Sequence, residues 1–276
     1  MTVGDFHYIS KLVRDRAAIV LEPGKEYLIE SRLLPLVRER GHDSITDLVA
    51  DLQRAPHAAL RDEVVEAMTT NETSFFRDGA PFQALTERVL PELIRARAAE
   101  RSLNIWSAAC SSGQEVYSIA MTVRDVLAAD PHWRVRLLAT DLSQQMLTRT
   151  REGCYSQLEV NRGLPAAALV RHFRRDGLSW RISDDLRQMI DTRSLNLAEE
   201  WPVLPSMDVV FLRNVLIYFD TEVKRQILAR VRRVLRPDGF LFLGGAETTL
   251  NLDDSFERLQ IGRATAYRLR DGKASA

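Results

Sequence analysis

The 276-residue chain has only two cysteines, Cys110 and Cys154, too few for a disulfide framework, and no Cys/His cluster has zinc-ligand spacing. It has no surplus of charge: 38 basic residues face 38 acidic ones, which argues against a dedicated nucleic-acid binder. No apolar run approaches membrane-spanning length, and the N-terminus lacks a cationic segment followed by an apolar core, so the expected location is the cytoplasm. The dinucleotide fingerprint G-x-G-x-x-G is missing. So is the phosphate-cradling P-loop, because Gly113 is followed by Gln114-Glu115 rather than by Lys and Ser or Thr. What is present is 45% hydrophobic content, ample for one large core or two modest ones.

Residues 1–70 read as helices only. Phe6, Ile9, Leu12 and Val13 recur at helical spacing, as do Ile29, Leu33, Leu36 and Val37. Pro23-Gly24 separates these two helices and Gly41-His42-Asp43-Ser44 ends the second. Ser44 is the expected N-cap of a third helix carrying Ile45, Leu48, Val49 and Leu52, and a fourth runs from about His57 to Met68. From Ser102 the pattern becomes strand–helix alternation, the signature of a mostly parallel sheet. Leu103–Ala108, Val135–Thr140, Met207–Leu212 and Phe240–Leu243 read as strands; Gly113–Ala129 and Thr221–Leu235 read as helices. Phe256–Gln260 and Ala264–Leu269 form a closing hairpin around Gly262. Gly153 to Asp191 fits neither pattern and reads as an insertion, with a helix over Pro165–Phe173 and strands over Leu178–Ile182 and Gln188–Thr192. A short frayed tail is expected at 273–276.

The chemistry concentrates where an open α/β sheet binds ligands, at the carboxyl ends of strands. Asn104 to Glu115 is an apolar run ending in small residues, a glycine and an acid just before a helix. Such a turn brings backbone against a ligand. Glu115 would repel a pyrophosphate but suits an ammonium group or ribose hydroxyls, which points to S-adenosylmethionine rather than NAD or ATP. Asp141 closes the second strand, where a carboxylate accepts from ribose hydroxyls; capping the next helix is the equally simple alternative. Asn196-Leu197, then Arg213-Asn214 with Tyr218 one turn on, complete the set at later strand ends. Gly244-Gly245 reads as a tight turn at a strand end. Between the domains, Met68 to Arg77 is too polar for a helix and, with Phe75 and Phe76, too apolar for a free linker. It is expected to fold over the ligand cleft, with Asn71 and Thr73 offering hydrogen bonds and Arg77 a bidentate grip on a carboxylate.

Several blocks together resemble one family. Thr69-Thr70-Asn71-Glu72-Thr73-Ser74-Phe75-Phe76-Arg77 is similar to the interdomain signature of the bacterial chemotaxis receptor methyltransferases, the CheR family. Trp106 to Ala120, which includes Ala108 and Gly113, resembles its first cofactor motif. Ala139–Leu142, Leu195–Leu197 and Arg213–Phe219 resemble three further blocks. The resemblance implies a class I S-adenosylmethionine-dependent methyltransferase: a doubly wound α/β sheet with an antiparallel C-terminal hairpin and a small β-subdomain inserted at about 153–192. Ahead of it come an all-α receptor-recognition domain over 1–70 and a linker and helix over 71–101; the catalytic domain spans 102–276. It implies methyl esterification of receptor glutamates, with S-adenosylhomocysteine as product. Carried over by position, Asn71, Thr73 and Arg77 touch the methionine part or the substrate carboxylate. Glu115 meets the amino-acid end or ribose, and Asp141 the ribose or adenosine side. Asn196 and Leu197 meet the adenine, Arg213 and Asn214 line the pocket floor, and Tyr218 stands near the transferring methyl.

Two departures stand out. Gly113-Gln114-Glu115-Val116-Tyr117-Ser118 replaces the family's usual Gly-Glu-Glu-Pro-Tyr-Ser, retaining Glu115. Arg174-Arg175-Asp176-Gly177-Leu178 is shorter than the glycine-rich loop with which enteric members grip a receptor tether, so tether-independent recognition is expected. Arg32, Arg38 and Arg40 are candidates for an acidic helical partner, a solvated helix face being the alternative. The competing functions are an O-methyltransferase of another protein or a small molecule, and a non-catalytic S-adenosylmethionine-binding module. A DNA methyltransferase is disfavoured because no Asn-Pro-Pro-Tyr/Phe-like motif is present.

Overall fold

The computed structural model describes residues 1–54, 58–130 and 132–270, which divide into two units: Met1–Thr70 with Tyr218–Lys224, and Asn71–Ile217 with Arg225 onward. The first unit holds α1 (Val3–Ala17), α2 (Glu26–Glu39), α3 (Ile45–Arg54) and α4 (Ala58–Met68). Thr2 starts α1 with a reciprocal capping box to Asp5, and the Ser44 hydroxyl accepts the Asp47 N–H at 3.1 Å, as the sequence predicts for α3. Ile9, Val13, Ile29, Leu33, Leu48, Leu52 and Val64 are fully buried in one core. Each contributes about 1.5–3 kcal/mol by leaving water. Pro35 sits inside α2 on its exposed side. The expected first residue of the fourth helix, His57, and the tail 273–276 lie outside the described residues.

The second unit begins with α5 (Ala80–Ala84), a π-helical turn (Leu85–Val89) and α6 (Leu90–Ala96). There follow β1 (Ser102–Ala108), α7 (Gln114–Val126), β2 (Arg134–Asp141), α8 (Gln144–Glu152), β3 (Cys154–Ser156), α9 (Gln157–Asn161) and α10 (Ala166–His172). Next come β4 (Phe173–Asp176), β5 (Ser179–Ile182), α11 (Asp184–Arg187), β6 (Ile190–Ser194), β7 (Met207–Leu212), α12 (Thr221–Val234, which belongs to this unit from Arg225 onward), β8 (Leu235–Leu243), β9 (Phe256–Ile261) and β10 (Ala264–Leu269). The seven-stranded sheet has the order β6-β2-β1-β7-β8-β10-β9. Its strands run parallel except for the terminal hairpin, in which β10 is antiparallel to β8 and β9. The chain winds outward from β1 through β2 to β6, then returns to the other side of β1 at β7. That reversal opens a crevice at the carboxyl ends of β1 and β7, where such sheets bind ligands. This is the class I methyltransferase sheet the sequence predicts.

The insertion is a three-stranded sheet ordered β3-β5-β4, joined by a two-residue turn at Gly177-Leu178. Its bounds differ from the sequence reading: β6, expected inside the insertion, is the edge strand of the large sheet, with Leu137 opposite Ile190. β6 alternates half-buried and exposed residues, so its apolar signal is too weak to assign it to a core from sequence.

Beneath the sheet, Arg97 after α6 ties the amino ends of three strands together. Its Nε donates to Asp208 at 2.9 Å and its two terminal nitrogens grip Asp238 at 2.8 and 2.6 Å. Asp208 is wholly buried and also accepts the Asn104 N–H at 2.8 Å. Burial pushes the Asp208 carboxyl up, while the Asn104 N–H and the Arg97 and Arg236 charges pull it back. The bond to Asp238 raises Arg97, which stays charged. Arg97→Ala leaves Asp208 without its main counter-ion and is expected to cost about 3–5 kcal/mol. Urea denaturation should show a far larger loss than for Arg236→Ala, whose guanidinium only approaches Asp208 at 3.4 Å.

Candidate active site

The turn from β1 into α7 bends through three left-handed residues, Ala109 (φ 58°), Ser111 (φ 51°) and Gly113 (φ 94°). Only glycine fits at 113, because a Cβ there would lie 2.9 Å from the Thr150 hydroxyl and 3.0 Å from that of Tyr155. The same two hydroxyls donate to the Ser111 and Ser112 carbonyls, fixing the turn from behind. In front, Asp141 at the end of β2 accepts the Ser111 N–H at 2.8 Å and the Ser143 N–H at 2.9 Å, one on each oxygen. The Ser143 hydroxyl, accepting from Met146, is the cap of α8, so capping does not account for Asp141. Asp141 instead ties two strand ends together, one through each oxygen of its carboxylate.

Glu115, in the first turn of α7, accepts from Ser107 at 2.8 Å and from Arg213 at 2.9 Å. Arg213 leaves the end of β7 fully buried, and its other terminal nitrogen donates to Asp78 at 2.6 Å and to the Arg77 carbonyl at 3.0 Å. Two carboxylates, Glu115 and Asp78, share the Arg213 guanidinium, and a third, Asp141, closes the neighbouring strand β2. That donor set suits a cationic ligand with ribose hydroxyls and opposes a phosphate, as the sequence argument requires.

The segment 71–79 is pinned to this unit at several points. Ser111 donates its hydroxyl to the Asn71 carbonyl, Ser118 accepts the Phe76 N–H at 2.9 Å, and Phe75 is buried edge-on to Tyr155 and Phe173. Arg77 is half-buried and donates to the Glu72 carbonyl at 2.9 Å; Thr73 is half-buried beside it in sequence. Ala108 lies wholly buried at the end of β1, opposite Thr140 and Leu212. Asn196 and Leu197 follow Leu195, whose N–H donates to the Asp141 carbonyl, and Asn196 turns the chain by accepting the Ala198 N–H. The Leu197 carbonyl accepts from Trp201, which packs edge-on against Trp106. Asn214 adopts φ 57° directly after Arg213. Tyr218 closes a short 3-10 turn and groups with the first unit, its carbonyl accepting the Val20 N–H at 3.0 Å.

The three basic candidates of the first unit differ. Arg32 is engaged with the Met68 carbonyl and Thr70, and Arg40 is paired with Glu63. Arg38 is exposed and makes no side-chain bond among the described residues.

Glu247 is the residue the sequence reading missed. One of its oxygens accepts the Gly244 and Asn214 N–H groups at 2.6 and 2.8 Å; the other accepts those of Val215 and Ile217 at 2.9 and 3.3 Å. It fastens the loop after β8 to the loop after β7. Gly244 permits this, since a Cβ there would lie 2.7 Å from both the Asn214 side-chain nitrogen and the Glu247 carboxylate. Gly244 also starts the expected turn, its carbonyl accepting the Glu247 N–H. An isolated Glu after two glycines carries no such signal by itself.

Known proteins share both units. A family profile described as CheR methyltransferase, all-alpha domain, matches residues 4–69, and one described as CheR methyltransferase, SAM binding domain, matches residues 71–265. Chemotaxis protein methyltransferase 1 of Pseudomonas aeruginosa is 43% identical over 270 residues, covering 96% of this chain and 98% of that protein. A chemotaxis protein methyltransferase of Pseudomonas putida is 40% identical over 270 residues, with 96% and 98% covered. One of Vibrio anguillarum is 38% identical over 275 residues, with 98% and 99% covered. The second unit is an S-adenosylmethionine-binding methyltransferase domain.

Glu247→Ala strips four amides of their acceptor. Hydrogen bonds to a charged group contribute about 1.5–3 kcal/mol, so urea denaturation is expected to show a loss of at least about 1.5 kcal/mol. Glu247→Gln, with one acceptor oxygen, should recover part of it.

Proposed function

The chain belongs to the CheR methyltransferase family, and we propose that it methylates glutamate side chains on the cytoplasmic helical bundle of chemotaxis receptors, using S-adenosylmethionine. The observation that carries this reading is the pairing of buried Glu115 and Asp141 at the crevice between β1, β2 and β7. When bound there, the cofactor supplies a methyl group on a cationic sulfonium. The chain's own task is to hold and align. Asp141 takes the ribose or adenosine side, and Glu115 the amino-acid end or ribose. Ala108 and Gly113 keep the backbone close, and Asn196 and Leu197 border the adenine. Arg213 and Asn214 form the floor, and Asn71 and Thr73 reach in from the 71–79 segment.

The nucleophile needs no base. A glutamate with an ordinary pKa of about 4.3 is ionised at neutral pH, so alignment is the main contribution asked of the protein. Arg77 is assigned to orient the substrate carboxylate, and Tyr218, on the resemblance alone, to a hydrogen bond near the reacting atoms. An overly tight ion pair would stabilise the ground-state carboxylate and slow attack. The two-residue turn at Gly177-Leu178 supports recognition without a receptor tether, because it offers little loop to grip one. Exposed Arg38 is the best-supported contact of the first unit for an acidic receptor helix. Among the described residues no helix is long and apolar enough to cross a membrane, and a cytoplasmic site of action fits the receptor substrate.

The decisive experiment incubates the protein with methyl-labelled cofactor and receptor-bearing membranes. Base-labile methyl esters on receptor glutamates support the reading, whereas label that accumulates on small molecules without receptor refutes it. Arg77→Ala is expected to cut kcat on receptor by about 10²-fold, while S-adenosylhomocysteine affinity measured by calorimetry changes far less. Asp141→Ala should do the reverse, weakening that affinity by about 10-fold or more through loss of a charged acceptor.

A further inference from the structure

On the far side of Arg213 from Glu115, a cavity of about 670 Å³ opens between the loop after β8 and the turn joining β9 to β10. Its walls include Asp78, Arg213, Glu247, Tyr267 and two arginines of the hairpin, Arg258 and Arg263. Strand directions explain the location. β8 runs parallel to β7 and ends at the ligand-binding edge, and β10 runs back against it, so the Gly262-Arg263 turn stands at that same edge. The cavity thus lies at the carboxyl ends of β8 and the hairpin, beside the crevice that holds Glu115 and Asp141.

Its charges are unevenly satisfied. Asp78 is paired with Arg213, and Glu247 is saturated by four backbone N–H groups. Arg258 meets only the Thr265 hydroxyl, at 3.1 Å, and Arg263 makes no side-chain bond among the described residues. Both are exposed. Arg268 on the same hairpin, by contrast, is paired with Glu92 and lies over the Phe240 ring. The cavity therefore presents two guanidinium groups without counter-ions, next to carboxylates already committed elsewhere.

We propose that this cavity is a docking site for acidic side chains flanking the reacting glutamate on a helical protein substrate, held by Arg258 and Arg263. The inference rests on the proposed glutamate methylation and adds to it a surface that selects the substrate segment. A helix repeats its face every 3.6 residues, so an acid three or four positions from the reacting one projects to the same side. Two exposed guanidiniums attract it by long-range, salt-sensitive steering and do not clamp the reacting carboxylate itself.

The test compares wild type, the charge-reversed double variant Arg258→Glu/Arg263→Glu, and Arg270→Glu as an exposed control on the same hairpin but outside the cavity. Two readouts are taken: KM and kcat for receptor methylation, and fluorescence-anisotropy binding of a synthetic helical peptide with glutamates spaced four apart, in saturating S-adenosylhomocysteine. The double variant is expected to raise KM and peptide Kd about 10-fold or more at low salt, a gap that narrows towards 1 M salt where screening falls to about 3 Å. Saturating kcat and S-adenosylhomocysteine affinity should stay within about two-fold, as should every parameter of the control. Unchanged peptide Kd in the double variant overturns the docking site even if wild type esterifies receptor normally. Arginine-dependent peptide binding by a wild type that esterifies no glutamate keeps the docking site and removes the proposed function instead.

Discussion

Arg213, sunk between Glu115 and Asp78, is the contact on which the rest of the site depends. Its side chain is only 1% exposed, and it joins the end of β7, the first turn of α7 and the segment before α5, stretches that are far apart in sequence. Ion pairs this deep are poor evidence of net stability, because desolvating both groups offsets much of the attraction. Their effect is positional. With Arg213 in place, Glu115 has one fixed orientation and the Arg77 carbonyl has a fixed neighbour, so the acid expected to face the cofactor and the segment expected to face the substrate are set by a single guanidinium. Without it, buried Glu115 would lose the cation that fixes its orientation, and the segment carrying exposed Asp78 would lose its anchor to the end of β7.

Asp141 works in a similar way from the other side of β1. It collects two amides from loops that follow different strands, and the left-handed residues at 109, 111 and 113 let the first loop curl towards it. The cost of those backbone conformations is recovered by the fixed turn, with Thr150 and Tyr155 bracing it.

The sequence made legible what depends on local pattern. Apolar runs located β1, β2 and β7, helical spacing located α1 to α3, and an acid or amide after each strand located Glu115, Asp141 and Asn214. Contacts between distant residues were not legible. Nothing near Glu247 foretells that it will cap the loop after β7, and nothing near Arg97 foretells Asp208, which lies more than a hundred residues away. β3 and β4 were missed because strands of three or four half-exposed residues give no periodic signal. β6 was seen but placed in the wrong sheet, since edge-strand amphipathicity does not say which neighbour a strand will take. The sequence reading gave Arg213 the pocket floor; its pairing with Glu115 and Asp78 is a contact that reading did not contain.

The strand order separates charge by function. Glu115 and Asp141 stand at the ends of β1 and β2, where a sulfonium nucleoside is expected, while the uncompensated Arg258 and Arg263 stand on the hairpin, beside Asp78 and Glu247, whose charges are taken up by Arg213 and by backbone amides. This separation favours the encounter of two oppositely charged reactants. It also carries a constraint, because transfer of the methyl group converts a cation and an anion into a neutral thioether and a neutral ester. Charge falls on the way to the transition state, so any group that holds either reactant's full charge too strongly raises the barrier. The arrangement answers this in two ways. Arg213 is already shared between Glu115 and Asp78, leaving little of its field to hold the substrate carboxylate. The unshared arginines stand exposed on the hairpin, where solvent and salt weaken their pull with distance and leave it strongest on acids that come directly beside them. On the proposed reading, attraction would act on the substrate's flanks and alignment on its reacting group, the division a charge-annihilating reaction requires.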